Sequence, residues 1–256
     1  MRALGSKQNF WRVSKDAVDL RRETPSPRIV AIPAEPQALK FDLRQTAMIV
    51  VDMQNDFCSE GGWVDFIGGN CAVLQQPVKP LNRLLPALRK ADVPIIWLNW
   101  GNRPDRLNLS PSVLHVYNRD GGGRGIGDPL PGNASRVLEQ GSWGAAIVSG
   151  LDAAPTDIYV DKYRMSGFWD TPLDSILRNL RVHTVLFAGV NLDQCVMATL
   201  QDAVHLGYDG ILLEDCCATN SPAYCIDATI YNIKQCYGFV ANSASLREAL
   251  QKLQND

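Results

Sequence analysis

From Thr46 onward the chain alternates short runs of β-branched residues with stretches of helical spacing. This alternation is typical of a parallel sheet wrapped by helices, because parallel strands need long crossover connections. We therefore predict a three-layer, Rossmann-like α/β sandwich with a six-stranded parallel sheet. The predicted strands cover residues 47–51, 94–98, 158–160, 184–188, 210–213 and 238–240, and the predicted helices cover residues 77–91, 172–180, 195–206, 222–237 and 243–253.

Two segments do not follow this alternation of strand-like and helix-like patterns. Residues 1–40 show no sustained period, and residues 101–144 are rich in Gly, Pro, Asn and Arg and too long for a plain connection. We predict an N-terminal extension (residues 1–40) and one hydrolase domain (residues 41–256). The extension either packs across a subunit interface through Phe10 and Trp11 or forms a disordered tail. Long loops inside a compact domain are often functional, so residues 101–144 are expected to serve the site.

Composition narrows the class of protein. The chain has 256 residues, 46% of them hydrophobic, and a net charge of −2, which is typical of a soluble globular enzyme and gives no sign of a nucleic-acid partner. No apolar run approaches the roughly 20 residues of a membrane span, and no secretory signal begins the chain, so we expect a cytoplasmic protein. Seven cysteines, an odd number without paired CxxC spacing, favour reduced thiols.

Three reactive residues follow predicted strands, namely Asp52, Lys162 and Cys195. Cys195 also opens a helix-like stretch, where the positive end of a helix can stabilise a thiolate and an oxyanion. Each of the three residues also has a non-catalytic explanation when it is taken alone. Asp52 could be a helix cap or turn former, Lys162 could be a solvated surface residue, and Cys195 could be a core residue. Ligands of parallel sheets bind at the carboxyl ends of the strands, so the shared position of all three favours a catalytic site of a cysteine hydrolase.

These residues lie in motifs that resemble the isochorismatase-like cysteine hydrolases. The motifs are Ile49-Val-Val-Asp-Met-Gln-Asn-Asp-Phe57, Asp161-Lys-Tyr163, Ser166-Gly-Phe168 and Gly189-Val-Asn-Leu-Asp-Gln-Cys195, and the similarity runs from about Phe41 to the C-terminus. Within that superfamily the chain looks most like the ureidoacrylate, biuret and triuret amidohydrolases.

The resemblance implies a role for each member of the triad. Cys195 would be the nucleophile, Asp52 the general base and Lys162 the cation that holds the thiolate. The backbone N–H groups of Asn191 and Cys195 would bind the oxyanion, beside a cis peptide between Val190 and Asn191. A free thiol with a pKa near 8.5 is only partly ionised at neutral pH, so the chemistry itself also needs a base and a cation.

The implied reaction is cleavage of a C–N bond in a small ureide or carbamoyl compound through a thioester, with release of ammonia or an amine. The resemblance also implies a homodimer or homotetramer that needs no cofactor. Nicotinamidase-like and other small-amide hydrolases stay open as alternatives, as do a vinyl-ether hydrolase of the isochorismatase type and a binding module. Relatives of the nicotinamidase type bind a metal through an Asp-x-His pair, whereas His115, His183 and His205 have no ligand spacing, so we predict no metal.

The substrate-binding residues are less clear, because aromatic residues at strand ends also serve as core. The residues predicted to bind substrate are Phe57, Asn99, Asn102, Tyr163 and Phe168. Four arginines compete as anchors for a carboxylate or urea group, namely Arg103, Arg106, Arg124 and Arg164.

Overall fold

The computed structural model describes residues 1–22 and 25–255. Its strands are β1 (Arg2–Gly5), β2 (Phe10–Val13), β3 (Val18–Asp19), β4 (Ile29–Ile32), β5 (Ala34–Glu35), β6 (Leu39–Asp42), β7 (Thr46–Val51), β8 (Ile95–Trp100), β9 (Ile158–Lys162), β10 (Thr184–Val190), β11 (Asp209–Ala218) and β12 (Phe239–Ala241).

Helices occupy most of the connections between these strands. They are α1 (Asn55–Cys58), α2 (Trp63–Phe66), α3 (Cys71–Leu74), α4 (Val78–Lys90), α5 (Pro111–Tyr117), α6 (Leu173–Asn179), α7 (Met197–His205), α8 (Ala223–Asn232) and α9 (Ser243–Asn255), with a 3₁₀ turn at Leu43–Gln45 and π-helical turns at Leu192–Val196 and Ile233–Tyr237. All five predicted helices are present. No helix in the described parts of the chain has the length and apolarity to cross a membrane.

The central sheet has seven strands in the order β5-β12-β11-β10-β7-β8-β9. Six of them are parallel and match the six predicted strands, which confirms the α/β sandwich. The seventh, β5, pairs antiparallel with β12 at one edge. A strand of two residues shows no hydrophobic period, so β5 is not predictable from the sequence pattern.

Buried apolar runs explain why β7 and β10 lie at the centre. Every residue of both strands is buried, as expected for parallel strands covered on both faces. Helices α4 and α9 pack against each other, and α7 packs against β11. The chain passes from β7 to β8 on one side and later to β10 on the other, so the strand order reverses between β7 and β10. Such a switch point is where open parallel sheets bind ligands.

The N-terminal region forms two small sheets, β1-β2-β3 and β4-β6. Phe10 and Trp11 lie in the first hairpin, opposite Gly5 and Leu4, so the alternative of a disordered tail does not hold for these strands. Strand β4 alternates exposed and buried residues and adds Val30 and Ile32 to the core. Packing thus continues across residue 40; the boundary itself and a role in a subunit interface stay predictions.

Candidate active site

The three predicted catalytic side chains come together at the carboxyl edge of the sheet. Asp52 directly follows β7, Lys162 is the last residue of β9, and Cys195 lies in the π-helical turn between β10 and α7. All three are buried, with at most 3% of their surface exposed. Single π-helical turns are often found at functional sites.

Lys162 and Asp52 form a buried ion pair. The Nζ···Oδ2 distance is 2.8 Å, and Lys162 also donates a hydrogen bond to the Arg164 carbonyl at 3.1 Å. Its ammonium lies 4.4 Å from the centre of the Trp100 ring, a cation–π contact. Burial lowers the pKa of Lys162, but the charges of Asp52 and Cys195 raise it, and the net shift is upward. The lysine therefore stays a cation at neutral pH.

Asp52 is arranged to accept a proton. Burial raises the pKa of this carboxyl, and the nearby Lys162 offsets part of the rise. Neither of its side-chain oxygens accepts an aligned hydrogen bond from the residues described, since the contact with Lys162 lacks that alignment. Its φ of 49° lies in the left-handed region, which Asp tolerates better than most residues, so the chain leaves the strand direction here.

The Cys195 thiol interacts with both partners, but it is not a thiolate at rest. Burial raises its pKa to about 12, Lys162 lowers it and Asp52 raises it. Burial therefore outweighs the effect of Lys162 on the pKa of this thiol, and stabilisation of a thiolate by the start of the helix stays a prediction. Ionisation of this thiol requires a base to remove the proton during attack.

The turn before Cys195 has the predicted cis peptide between Val190 and Asn191. The Asn191 carbonyl accepts hydrogen bonds from the N–H groups of Gln194 and Val196 at 3.1 and 3.2 Å. These two hydrogen bonds lie within the turn that contains Cys195 and hold its backbone together. That the N–H groups of Asn191 and Cys195 bind an oxyanion stays a prediction.

Gly189 allows β10 to approach β7 at this edge. Its φ is +115°, and a Cβ at this position would overlap the backbone of Val51. The register between β10 and β11 also shifts between Phe187 and Gly189. Glycine is required here because it alone combines this φ with so close an approach. Asp52 and Cys195, which follow the two strands, are thereby brought together.

A cavity of about 650 Å³ opens beside the triad. Its walls include Phe57, Trp63, Tyr117, Met165, Asn191 and Gln194. A larger cavity of about 810 Å³ lies at the opposite, amino edge of the sheet, where it is lined by N-terminal residues and by residues that precede β7, β8 and β10. The smaller cavity is the one near the Cys195 thiol, because Asn191 and Gln194 of its turn line it together with Met165, whose sulfur lies 3.7 Å from the thiol.

The predicted substrate-binding residues differ in their surroundings. Phe57 lines the cavity beside the triad. Asn99 and Asn102 are buried, and the side-chain oxygen of each lacks a hydrogen-bond partner among the described residues. Tyr163 donates its hydroxyl to the Asp170 carbonyl at 3.1 Å, and Phe168 packs on the Tyr208 ring. Their roles in binding stay predictions.

The candidate arginines separate into two groups. Three of them are ion-paired, Arg103 with Asp105, Arg106 with Asp128 and Arg164 with Asp170. Arg124 is exposed, lines the cavity and has no ion pair within the described chain. Arg119, which is not among the predicted arginines, is also exposed and lines the cavity.

Gln54, two residues after Asp52, holds the long loop after β8 in place through side-chain hydrogen bonds. Its Nε2 donates to the carbonyls of Trp100 and Ala145, both at 2.7 Å, and its Oε1 accepts the Trp100 N–H at 2.7 Å. Asn55 donates to the Trp143 carbonyl at 2.8 Å. Both residues belong to the motif that contains Asp52, and the four polar residues among the five that follow the buried strand β7 are the signal that could have identified them.

Asp56 is a second buried acid in that motif. It accepts hydrogen bonds from the N–H groups of Leu138 at 2.7 Å and Trp63 at 3.2 Å, and so links the long loop after β8 to the start of α2. Burial raises its pKa to about 6, although both hydrogen bonds lower it. Unlike Asp52, it has its acceptor atoms occupied by backbone donors, which indicates a positioning role.

No cluster of three or more His, Cys, Asp or Glu residues suited to a metal occurs in residues 1–22 and 25–255. His115 lies on α5, His183 directly precedes β10 and His205 ends α7, where it packs against the Tyr237 ring. All seven cysteines are unpaired. The absence of a metal stays a prediction.

Comparison with known proteins identifies relatives across the chain. Residues 46–245 match the isochorismatase domain model. The ureidoacrylate amidohydrolase RutB of Rhizobium rhizogenes is 34% identical over 83% of this chain and 86% of its own length, and that of Klebsiella pneumoniae is 33% identical over 87% and 94%. Among solved structures, a cysteine hydrolase from Pseudomonas syringae has a TM-score of 0.70 at 26% identity over 83% of this chain and 95% of its own. N-carbamoylsarcosine amidase from Thermoplasma acidophilum has a TM-score of 0.57 at 25% identity over 78% and 96%.

Proposed function

We propose that this chain, which belongs to the isochorismatase family, is a cysteine-dependent amidohydrolase that cleaves a C–N bond of a small ureide. The observation that carries this proposal is the buried Lys162–Asp52 ion pair against the Cys195 thiol, next to a cavity at the switch point of the sheet. A binding protein gains nothing from burying an acid, a cation and a thiol together, because the desolvation of charges is costly.

In the first half of the reaction Asp52 removes the proton from the Cys195 thiol as the sulfur attacks the carbonyl carbon. The C–S bond forms, and the carbonyl oxygen becomes an oxyanion that the N–H groups of Asn191 and Cys195 stabilise. The oxyanion then collapses, the C–N bond breaks, and Asp52 returns its proton to the nitrogen. Ammonia or an amine leaves, and the acyl group remains on sulfur as a thioester.

In the second half Asp52 removes a proton from water, which attacks the thioester carbon. The C–S bond breaks, the product leaves as a carboxylic or carbamic acid, and the sulfur recovers the proton from Asp52. Lys162 remains a cation throughout and stabilises each anion formed beside it. Burial raises the pKa of Asp52, which makes its carboxylate a stronger base than an exposed one and favours uptake of the thiol proton.

Two relatives support a ureide as the substrate class. Ureidoacrylate amidohydrolase and N-carbamoylsarcosine amidase are both named for compounds with a carbamoyl group on nitrogen. The segments Gly101-Asn-Arg-Pro-Asp105 and Gly125-Ile-Gly-Asp-Pro129 resemble the biuret and triuret branch, which keeps these two compounds among the candidates. A cavity of about 650 Å³ is large enough for any of them.

If the substrate is an acid, Arg124 is the one of the four predicted arginines that the cavity favours, because it lines the cavity without an ion pair among the described residues. We expect Arg124→Gln to raise KM for an anionic ureide much more than for a neutral one, since the guanidinium is free to pair with a carboxylate. Arg164→Gln is the matched control, because Arg164 already binds Asp170 and the Asn108 carbonyl. Equal effects of Arg124→Gln on both substrates would remove it as the anchor.

Ammonia release tests the proposed function directly. The substrates are biuret, triuret, ureidoacrylate, N-carbamoyl amino acids and nicotinamide, each assayed with the wild-type enzyme and with Cys195→Ala. Hydrolysis of a ureide that disappears in the variant is the expected result. Activity on nicotinamide alone would favour the nicotinamidase-like alternative, and no activity on any of these compounds would contradict the proposal.

The proposal extends to a cytoplasmic homodimer or homotetramer that requires no metal or other cofactor. Light scattering of the purified protein measures its mass. If metal analysis of the active enzyme found stoichiometric zinc or iron, the expectation that the enzyme requires no metal would be contradicted.

A further inference from the structure

Met165 covers the nucleophile. The Cys195 thiol is 3.7 Å from the Met165 sulfur, and Cys195 is only 3% exposed. The cavity beside the triad is lined by Met165 and by Asn191 and Gln194, which precede Cys195 in its turn, whereas Cys195 itself does not line it. The Met165 side chain therefore stands between the cavity and the sulfur that must attack.

The backbone on both sides of Met165 is held in place. The Arg164 carbonyl accepts a hydrogen bond from Lys162, and the Gly167 N–H donates to the Thr199 hydroxyl at 3.1 Å. Thr199 in turn donates to the Cys195 carbonyl at 2.7 Å. The segment is thus hydrogen-bonded to the lysine at one end and to the helix of the cysteine at the other, so the Met165 side chain is the part of this segment that is free to move.

The chemistry of methionine suits a movable cover. Its unbranched side chain has three rotatable bonds, and its thioether accepts only weak hydrogen bonds, so displacing it from the thiol costs little. Met165 is partly exposed on the cavity side, which gives the displaced side chain room.

We propose that Met165 is a specificity-determining gate that limits the bulk around the carbonyl carbon that can reach Cys195. Thin, planar, unbranched ureides pass beneath the thioether, and branched amides are excluded. This inference rests on the proposed function for the identity of the substrate. The steric access of a reagent to the Cys195 sulfur can be measured without knowing that substrate.

Alkylation measures that access without a substrate. Wild-type enzyme, Met165→Ala and Met165→Leu are each treated with iodoacetamide, a small reagent, and N-phenylmaleimide, a bulky one, and labelling is followed for each cysteine by peptide mass spectrometry. The exposed Cys236 is the internal reference. A change in the acidity of the Cys195 thiol alters both rates alike, so the ratio of the bulky to the small reagent reports steric access.

We expect Met165→Ala to raise this ratio at Cys195 by about tenfold and Met165→Leu, which conserves volume, to leave it nearly unchanged. Met165→Val shortens the side chain more mildly and replaces the alanine variant if that variant does not fold. An unchanged ratio in the shortened variant, or an equal rise with leucine, would overturn the gate.

A kinetic comparison then ties the gate to specificity. For the ureide that the wild type hydrolyses, Met165→Ala is expected to raise kcat/KM for an N-branched analogue relative to the unbranched parent, and Met165→Leu is not. If no ureide is hydrolysed, the proposed function fails while the alkylation result still decides the gate. If ureides are hydrolysed but the preference does not change in Met165→Ala, the gate fails and the proposed function stands.

Discussion

The two edges of the central sheet each hold a Lys–Asp ion pair and a cavity, yet they differ in burial. At the carboxyl edge Lys162 and Asp52 are 2.8 Å apart with 0% and 1% of their side chains exposed. At the amino edge Lys7 and Asp92 are 2.9 Å apart with 72% and 62% exposed. The cavity at the amino edge is the larger of the two. The two edges thus differ in the burial of the ion pair, and neither the length of the ion pair nor the volume of the cavity separates them in this way. Water screens the charges of an exposed pair, so the buried pair is the better candidate for catalysis.

Replacement of the acid at each edge should give the largest difference. We expect Asp52→Asn to lower kcat by about 10²- to 10⁴-fold, because the amide cannot remove the thiol proton. Asp92→Asn should leave kcat unchanged, since Asp92 lies at the other edge. Steady-state kinetics on the active ureide measures both, and wild-type kcat in Asp52→Asn would remove Asp52 from the reaction.

Replacement of the lysine compares the stabilities of the two pairs. Lys162→Met leaves a buried carboxyl without its cation and should lower the free energy of unfolding by about 3–5 kcal/mol. Lys7→Met should change it by less than about 1 kcal/mol. Urea denaturation gives both values.

The double variant Asp52→Asn/Lys162→Met sharpens this test. It should be destabilised less than the sum of the single variants, because neither charge is then left alone. Strict additivity would mean that the pair is not coupled.

A glycine at each edge tests the backbone geometry. Gly189→Ala should destabilise the protein by more than about 3 kcal/mol, because the new Cβ overlaps the Val51 backbone at a positive φ. Gly207→Ala, at the amino edge, has a positive φ but no atom within reach of its Cβ, so strain alone should cost about 1–2 kcal/mol. Thermal unfolding compares the two, and equal losses would contradict the close approach of β10 to β7.

The pH dependence of stability should have opposite signs at the two edges. Burial raises the pKa of Asp56 from 3.8 to about 6, so between these values the unfolded chain loses the proton first. Asp56 therefore makes the free energy of unfolding fall as pH rises from about 4 to about 6, by on the order of 3 kcal/mol. Asp56→Asn should remove this fall, which denaturation at several pH values measures.

Asp92 provides the contrast at the amino edge. The hydrogen bond from Lys7 lowers its pKa, so its contribution to stability is lost as pH falls, and Asp92→Asn should remove a dependence of the opposite sign. If both variants changed the pH dependence of the free energy of unfolding with the same sign, the predicted difference between the two edges would be wrong.

Much of the fold and the members of the triad could be predicted from the sequence. The six parallel strands follow from buried apolar runs, and Asp52, Lys162 and Cys195 follow from their positions at strand ends. Strand β5 could not be predicted, because its two residues are ordered by pairing with β12 far along the chain. Met165, Arg119 and Asp56 could not be predicted either, because contacts with distant residues or a place in the cavity wall distinguish them, and no local spacing encodes these.

The α/β class and the family can be inferred from the amino-acid sequence alone, because hydrophobic periods and motifs are properties of the order of residues. The tertiary structure decided how those side chains behave. It made the Cys195 thiol a weak acid, placed Met165 over it and left the Asp52 oxygens open to a proton. Acidity and access depend on burial and on distances between residues more than 100 positions apart, such as Asp52 and Lys162, which only the folded chain brings together.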